Sequence, residues 1–145
     1  GTHRGAIWRM GLESYRDFPW LQKLFGYGPD TFGIVMVNEH YQEMTDLYRE
    51  IFDSAHNEYL QYFITIGPLG LLSYLTLLIS SGIRMVKRAG QNPYAMAILF
   101  ALICYGVQAF VNINLPIATP VMWTLLMMGL AESREIETKG SVEEV

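Results

Sequence analysis

The segment Asp53–Ile83, DSAHNEYLQYFITIGPLGLLSYLTLLISSGI, decides the fold, because a polar His-Asn pair stands directly before a long apolar run. From Leu60 to Ile83 no residue is charged. A helix rising about 1.5 Å per residue needs about 20 such residues to cross the hydrocarbon of a bilayer. The run therefore reads as a membrane span, and His56, one turn above its first apolar residue, is expected at headgroup depth. A titratable side chain held there is a functional candidate. Asp53 or Ser54 is expected to cap this helix, leaving Ala55, His56 and Asn57 in its first turn. Pro68 falls partway along the run and removes a backbone hydrogen bond, so a kink is expected there.

The remaining charge pattern divides the chain. Residues 1–59 carry five basic side chains (Arg4, Arg9, Arg16, Lys23, Arg49) and nine acidic ones, whereas 60–130 carry only Arg84, Lys87 and Arg88. This is a polar part followed by a membrane part. In a chain of 145 residues that is 51% hydrophobic, the balance points to one membrane domain. The net charge of −4, with no basic cluster interleaved with aromatics, argues against nucleic acid as a partner. A single cysteine, Cys104, excludes an internal disulfide framework, and no CxxC or HExxH suggests a metal. The chain starts at Gly1 with no basic and apolar leader, and it reads as the C-terminal part of a longer protein.

Upstream of the run, Arg4–Phe18 places Ile7, Trp8, Gly11, Leu12 and Tyr15 at helical spacing, and Pro19-Trp20 ends that helix. With Trp8, Phe18, Trp20 and Phe25 so close together, two readings stand level: an amphipathic helix in the membrane interface, or a core stripe on a neighbouring helix. FGYGPDTFG, residues 25–33, is a loop whose glycines permit positive φ. A plain turn is the ordinary reading of it, and a phosphate cradle the sharper one. Residues 35–52 read as a second helix with Met36, Met44, Leu47 and Ile51 on one face. His40 is expected on its solvated face, with nothing nearby to orient it. Arg9 and Arg16 read as ordinary polar-face residues.

Downstream, the cluster Arg84, Lys87 and Arg88 marks the cytoplasmic side of the first span. Residues 89–93 form a turn, 94–111 return through the bilayer with Gln108 placed to bond another helix, NINLP at 112–116 turns outside, and 115–131 cross inward again. The expected fold is an all-α integral membrane protein. It has about three transmembrane helices (60–83, 94–111 and 115–131) preceded by a helical outer-face loop, 1–59. The charged tail 132–145 is expected to be disordered and cytoplasmic.

An outer-face loop bearing arginines and one oriented histidine suits a lipid-borne anionic substrate. Arginine matches phosphate oxygens with a planar fork of donors, and neutral histidine can accept a proton from an attacking hydroxyl. RGAIWRMGLE (4–13), LFGYGPDTFG (24–33) and AHNEYLQYFITIGPLGLLSYL (55–75) taken together resemble the O-antigen ligase and polysaccharide polymerase superfamily. The pattern is an Arg before a Trp-bearing helix, a G-x-G-P loop, and H-N-x-x-L leading into G-x-x-G. Pro68 inside the G-x-x-G segment departs from it, and the superfamily's earlier helices and further arginines are not in this sequence.

The resemblance implies a multi-spanning glycosyltransferase of the bacterial cytoplasmic membrane, its loop on the outer face. Such an enzyme moves a glycan from undecaprenyl diphosphate to an acceptor hydroxyl on a glycan or lipid, with no metal or other cofactor. It implies His56 as general base or orienter of the acceptor hydroxyl and Arg4 as the diphosphate ligand. Asn57 and the Gly26, Gly28 and Pro29 loop are implied as shaping the site. The residues alone leave two other classes open: a transporter built around the Pro68 break, and a non-catalytic anchor in which His56 is dispensable.

Overall fold

A computed structural model describes residues 3–88, 93–113 and 117–143, and side chains within 3–87, 93–113 and 117–131. Every regular element among them is helical: α1 Arg4–Asp17, α2 Trp20–Phe25, α3 Phe32–Glu43, a π-turn Met44–Tyr48, α4 Glu58–Thr65, α5 Gly67–Arg88, α6 Pro93–Gln108 and α7 Ala118–Glu143. The chain divides into two compact units, Gly1–Tyr74 with Ala109–Ile113, and Leu75–Gln108 with Asn114–Val145.

The first unit is built on α1. Ile7, Met10, Gly11 and Ser14 recur at three and four residues, so they form one stripe, and all four are buried. Phe32 lies on Gly11, where an added Cβ would stand 3.4 Å from its ring; glycine here makes room for the aromatic. Val35, Met36, Met44 and Ile64 complete a core in which each large apolar side chain contributes about 1.5–3 kcal/mol by leaving water. Trp8 belongs to this packing, so α1 is a core helix and the interface reading does not apply to it.

Three expectations need correction. Met36 and Met44 are buried, but Leu47 and Ile51 are 69% and 53% exposed. The helix leaves α geometry at His40 (φ −123°, ψ 16°) and widens into the π-turn, which rotates the following residues off the buried face. The second concerns the start of the next helix. Neither Asp53 nor Ser54 caps it. Asn57 does, in extended conformation, its Oδ1 accepting the Leu60 amide at 3.0 Å. His56 therefore precedes the helix.

The third correction concerns the run Leu60–Ile83, which is two helices and not one kinked helix. Ile66 (φ −113°, ψ 2°) and Gly67 (φ +73°) separate α4 from α5. Pro68 falls in the first turn of α5, where a helix amide has no intrahelical acceptor and the missing proton costs nothing.

In the second unit Met85, Ile98, Leu99 and Leu126 are buried together, with Leu78, Leu102 and Trp123 against them. Gly129 leaves the space that Met85 fills. Gln108 ends α6 exposed, and Cys104 is an exposed free thiol. One helix among the described residues, Gly67–Lys87, is long and apolar enough to cross a membrane, and only 11% of it is buried. Pro93–Gln108 and Ala118–Ala131 are apolar but shorter, at about 24 Å and 21 Å by helical rise against about 30 Å of hydrocarbon. Among the described residues, one helix meets the length.

Helical backbone of α7 continues to Glu143, through the stretch that composition marks as disordered. Residues 89–92 of the expected cytoplasmic turn, residues 114–116 of the expected outer turn, and residues 144–145 of the tail lie outside the described residues.

Candidate functional site

His56 sits between two clamped neighbours. Ala55 is fully buried; its carbonyl accepts the Trp8 indole N–H at 2.9 Å and its amide donates to Gln61 Oε1 at 2.9 Å. On the other side Asn57, 6% exposed, is committed to capping α4. Held from both sides, half-buried His56 adopts φ +48°, the left-handed region, which costs a non-glycine residue about 1–2 kcal/mol. Such strain persists where surrounding structure enforces it, and it concentrates at functional positions.

The Trp8 bond also brings Arg4 into relation with this turn. Arg4 opens α1 one helical turn before Trp8, about 6 Å of rise, so the two share a face, and Trp8 touches the residue next to His56. Arg4 is half-buried, and its Nε is buried without a hydrogen-bond partner. The helix that begins at Arg4 is thus tied, through one indole, to the residue beside His56. Trp8→Phe keeps most of the ring but leaves the buried Ala55 carbonyl unpaired. A loss of about 1–3 kcal/mol in thermal unfolding is expected, and an unchanged transition would show that the bond does not hold the turn.

Glu58, next on from the cap, is a buried acid, 1% exposed. Its Oε1 accepts the Tyr74 hydroxyl at 2.9 Å, and its amide donates to the Ala109 carbonyl at 2.8 Å. Burial first, and the Glu58 charge second, push the Tyr59 phenol above its ordinary value, so it stays neutral. These contacts fix the first turn of α4 beneath His56.

The Gly26, Gly28 and Pro29 loop lies elsewhere. Tyr27 and Gly28 donate their amides to the Ile64 and Thr65 carbonyls at 3.0 and 2.8 Å, and Gly26 donates to Gln22 at 2.8 Å. The loop thereby satisfies the open carbonyls at the C-terminal end of α4. That end is about 12 Å of helix away from the Asn57 cap. The amides of Gly26, Tyr27 and Gly28 are engaged within the protein, as in an ordinary turn. The loop sets where α4 ends, and Gly33, the last residue of the 25–33 stretch, packs on Asp53, an added Cβ there standing 3.2 Å from the Asp53 Cα.

His40 departs from expectation. Its side chain is only 13% exposed, its Nδ1 is 3.5 Å from Glu43 Oε2, and its Nε2 is buried and unpartnered. Glu43 also takes a short hydrogen bond from Arg9, which is itself bonded to Glu13 at 3.0 Å. Glu43 first, then Glu13, hold the Arg9 guanidinium above its ordinary value and firmly charged. Arg9 thus ties α1 to α3. The three-residue spacing of His40 and Glu43 was a visible signal. Among the described residues no three His, Cys, Asp or Glu side chains are grouped to hold a metal ion.

Residues 1–75, which include Arg4, the Gly26–Pro29 loop and the His56 turn, match the O-antigen ligase family. The chain belongs to that family. The match covers the main segment of the first compact unit, ending within one residue of its boundary at Tyr74. No curated protein and no solved structure matches the chain. As a member of the O-antigen ligase family it is a glycosyltransferase-like enzyme, of ligase or polymerase kind, in polysaccharide biosynthesis.

Proposed function

We propose that the protein works in the bacterial cytoplasmic membrane, residues 1–59 on the outer face, and moves a glycan from undecaprenyl diphosphate to an acceptor hydroxyl on a lipid or glycan. An imidazole nitrogen of His56 takes the proton of that hydroxyl. The acceptor oxygen bonds the anomeric carbon of the donor sugar, the bond from that carbon to the diphosphate oxygen breaks, and undecaprenyl diphosphate leaves with the electron pair. Arg4 meets the charge on the leaving diphosphate with a fork of donors. Asn57 keeps His56 outside the helix. The observation that supports this reading best is the Trp8–Ala55 hydrogen bond, which draws the Arg4 helix to the His56 turn.

The test uses native membranes containing the protein, with carrier-linked and acceptor-linked glycan both measured. Arg4→Ala is expected to reduce transfer by about 10²–10³-fold, the effect of losing one donor to a developing charge. Arg4→Lys keeps the charge without the fork and should recover only part of it. Carrier-linked glycan should accumulate in both. Full transfer in Arg4→Ala would remove Arg4 from the mechanism. Whether lipid-linked or polymeric glycan is lost separates ligase from polymerase.

A further inference from the structure

Helix α2 is inverted with respect to water. Trp20, Leu21, Leu24 and Phe25 are 71%, 51%, 40% and 61% exposed, while its polar residues Gln22 and Lys23 are the half-buried ones. At positions i, i+1, i+4 and i+5 the four apolar side chains share one face. The helix is not a loose appendage: the Lys23 backbone carbonyl accepts the Tyr15 hydroxyl at 2.9 Å, which ties α2 to α1.

The C-terminal end of α2 is joined to the start of α5. A Cβ on Gly67 would collide with the Leu24 carbonyl and the Gly26 amide, and a Cβ on Gly26 would collide with Thr65 and Gly67, so the two backbones cross in direct contact. Gly67 begins the one helix among the described residues that is long and apolar enough to cross a membrane. The exposed apolar surface continues onto the first turns of that helix at Leu69 and Leu72, 44% and 59% exposed. Where α5 enters hydrocarbon, α2 is therefore at the boundary. An exposed Trp with Leu and Phe is the composition that this boundary favours.

We infer that α2 is a membrane-interface anchor: Trp20, Leu21, Leu24 and Phe25 insert among the lipid headgroups and upper acyl chains of the leaflet that α5 enters. The inference rests on the membrane reading above. Its consequence is positional, because α2 holds the unit that carries His56 and Arg4 at the surface where a lipid-linked substrate presents its diphosphate.

The test places a nitroxide on the full chain in vesicles of phosphatidylcholine and phosphatidylglycerol, in a Cys104→Ser background. The labelled variants are Trp20→Cys, Leu77→Cys in mid-α5, and Glu39→Cys on an exposed polar position. Oxygen partitions into lipid, and a nickel chelate stays in water. For position 20 the oxygen-to-nickel accessibility ratio is expected several-fold above that of position 39 and below that of position 77. A position 20 ratio equal to that of position 39, with position 77 in lipid, would put α2 in water and overturn the anchor. Low access of both reagents at position 20 would mean that protein covers the face, which also overturns it. Nickel access at position 77 would instead defeat the membrane reading on which the inference rests.

Discussion

Replacing His56 with alanine is expected to lower glycan transfer by about 10²–10⁴-fold, the usual contribution of a general base, with glycan accumulating on the lipid carrier. The left-handed backbone of His56 allows a cleaner variant than alanine. Glycine adopts φ +48° without a Cβ penalty, so His56→Gly should match wild-type thermal stability or exceed it by about 1 kcal/mol, while transfer falls as far as in His56→Ala. Added imidazole should restore part of the activity of His56→Gly, since the missing group is a diffusible base. If His56→Gly transfers glycan at the wild-type rate, His56 is a conformational residue and the base lies elsewhere.

Gly67→Ala and Gly26→Ala are expected to be the most destabilising single substitutions in the first unit, each by about 3–5 kcal/mol. Two costs add. Both glycines have positive φ, +73° and +76°, which alone disfavours alanine by about 1–2 kcal/mol. The new methyl would also press on backbone atoms of the facing segment, which cannot rotate away as a side chain can. Gly5→Ala is the control: nothing lies within 4 Å of its added Cβ, and it sits in the first turn of α1, so stability should rise by about 0.5–1 kcal/mol. Thermal unfolding followed by tryptophan fluorescence in detergent would measure all three. Equal stability of Gly67→Ala and wild type would mean that α2 and α5 do not cross in backbone contact.

Local chemistry made much of the fold legible. The spacing of Ile7, Met10 and Gly11 marks the buried stripe of α1, and Pro19 marks its end. The apolar run contains α5, a helix long and apolar enough to cross a membrane. The order of the three segments in residues 4–75 carried the family. The errors cluster where two local rules competed. Asp53, Ser54 and Asn57 are all good caps, and nothing short-range says which will be used; the Ala55 bonds to Trp8 and Gln61 hold residues up to 56 out of the helix, leaving Asn57. Pro68 could kink a helix or begin one. Gly67 at positive φ, pressed against Leu24 and Gly26, decided for a new helix.

His40 was misplaced for a different reason. Its burial depends on a helix break and on Glu43 being drawn to Arg9 from another helix. Composition and periodicity, which depend on near neighbours along the chain, determined that this protein is helical, where its apolar face and membrane-length helix lie, and that His56 is a candidate, whereas Arg4 came from the family resemblance. Only the tertiary structure decided that α1 is bonded through Trp8 to the residue beside His56, that the glycine loop serves the far end of α4, and that α2 turns its apolar face outward. Each of these depends on contacts between residues far apart in sequence, whose geometry no local propensity contains.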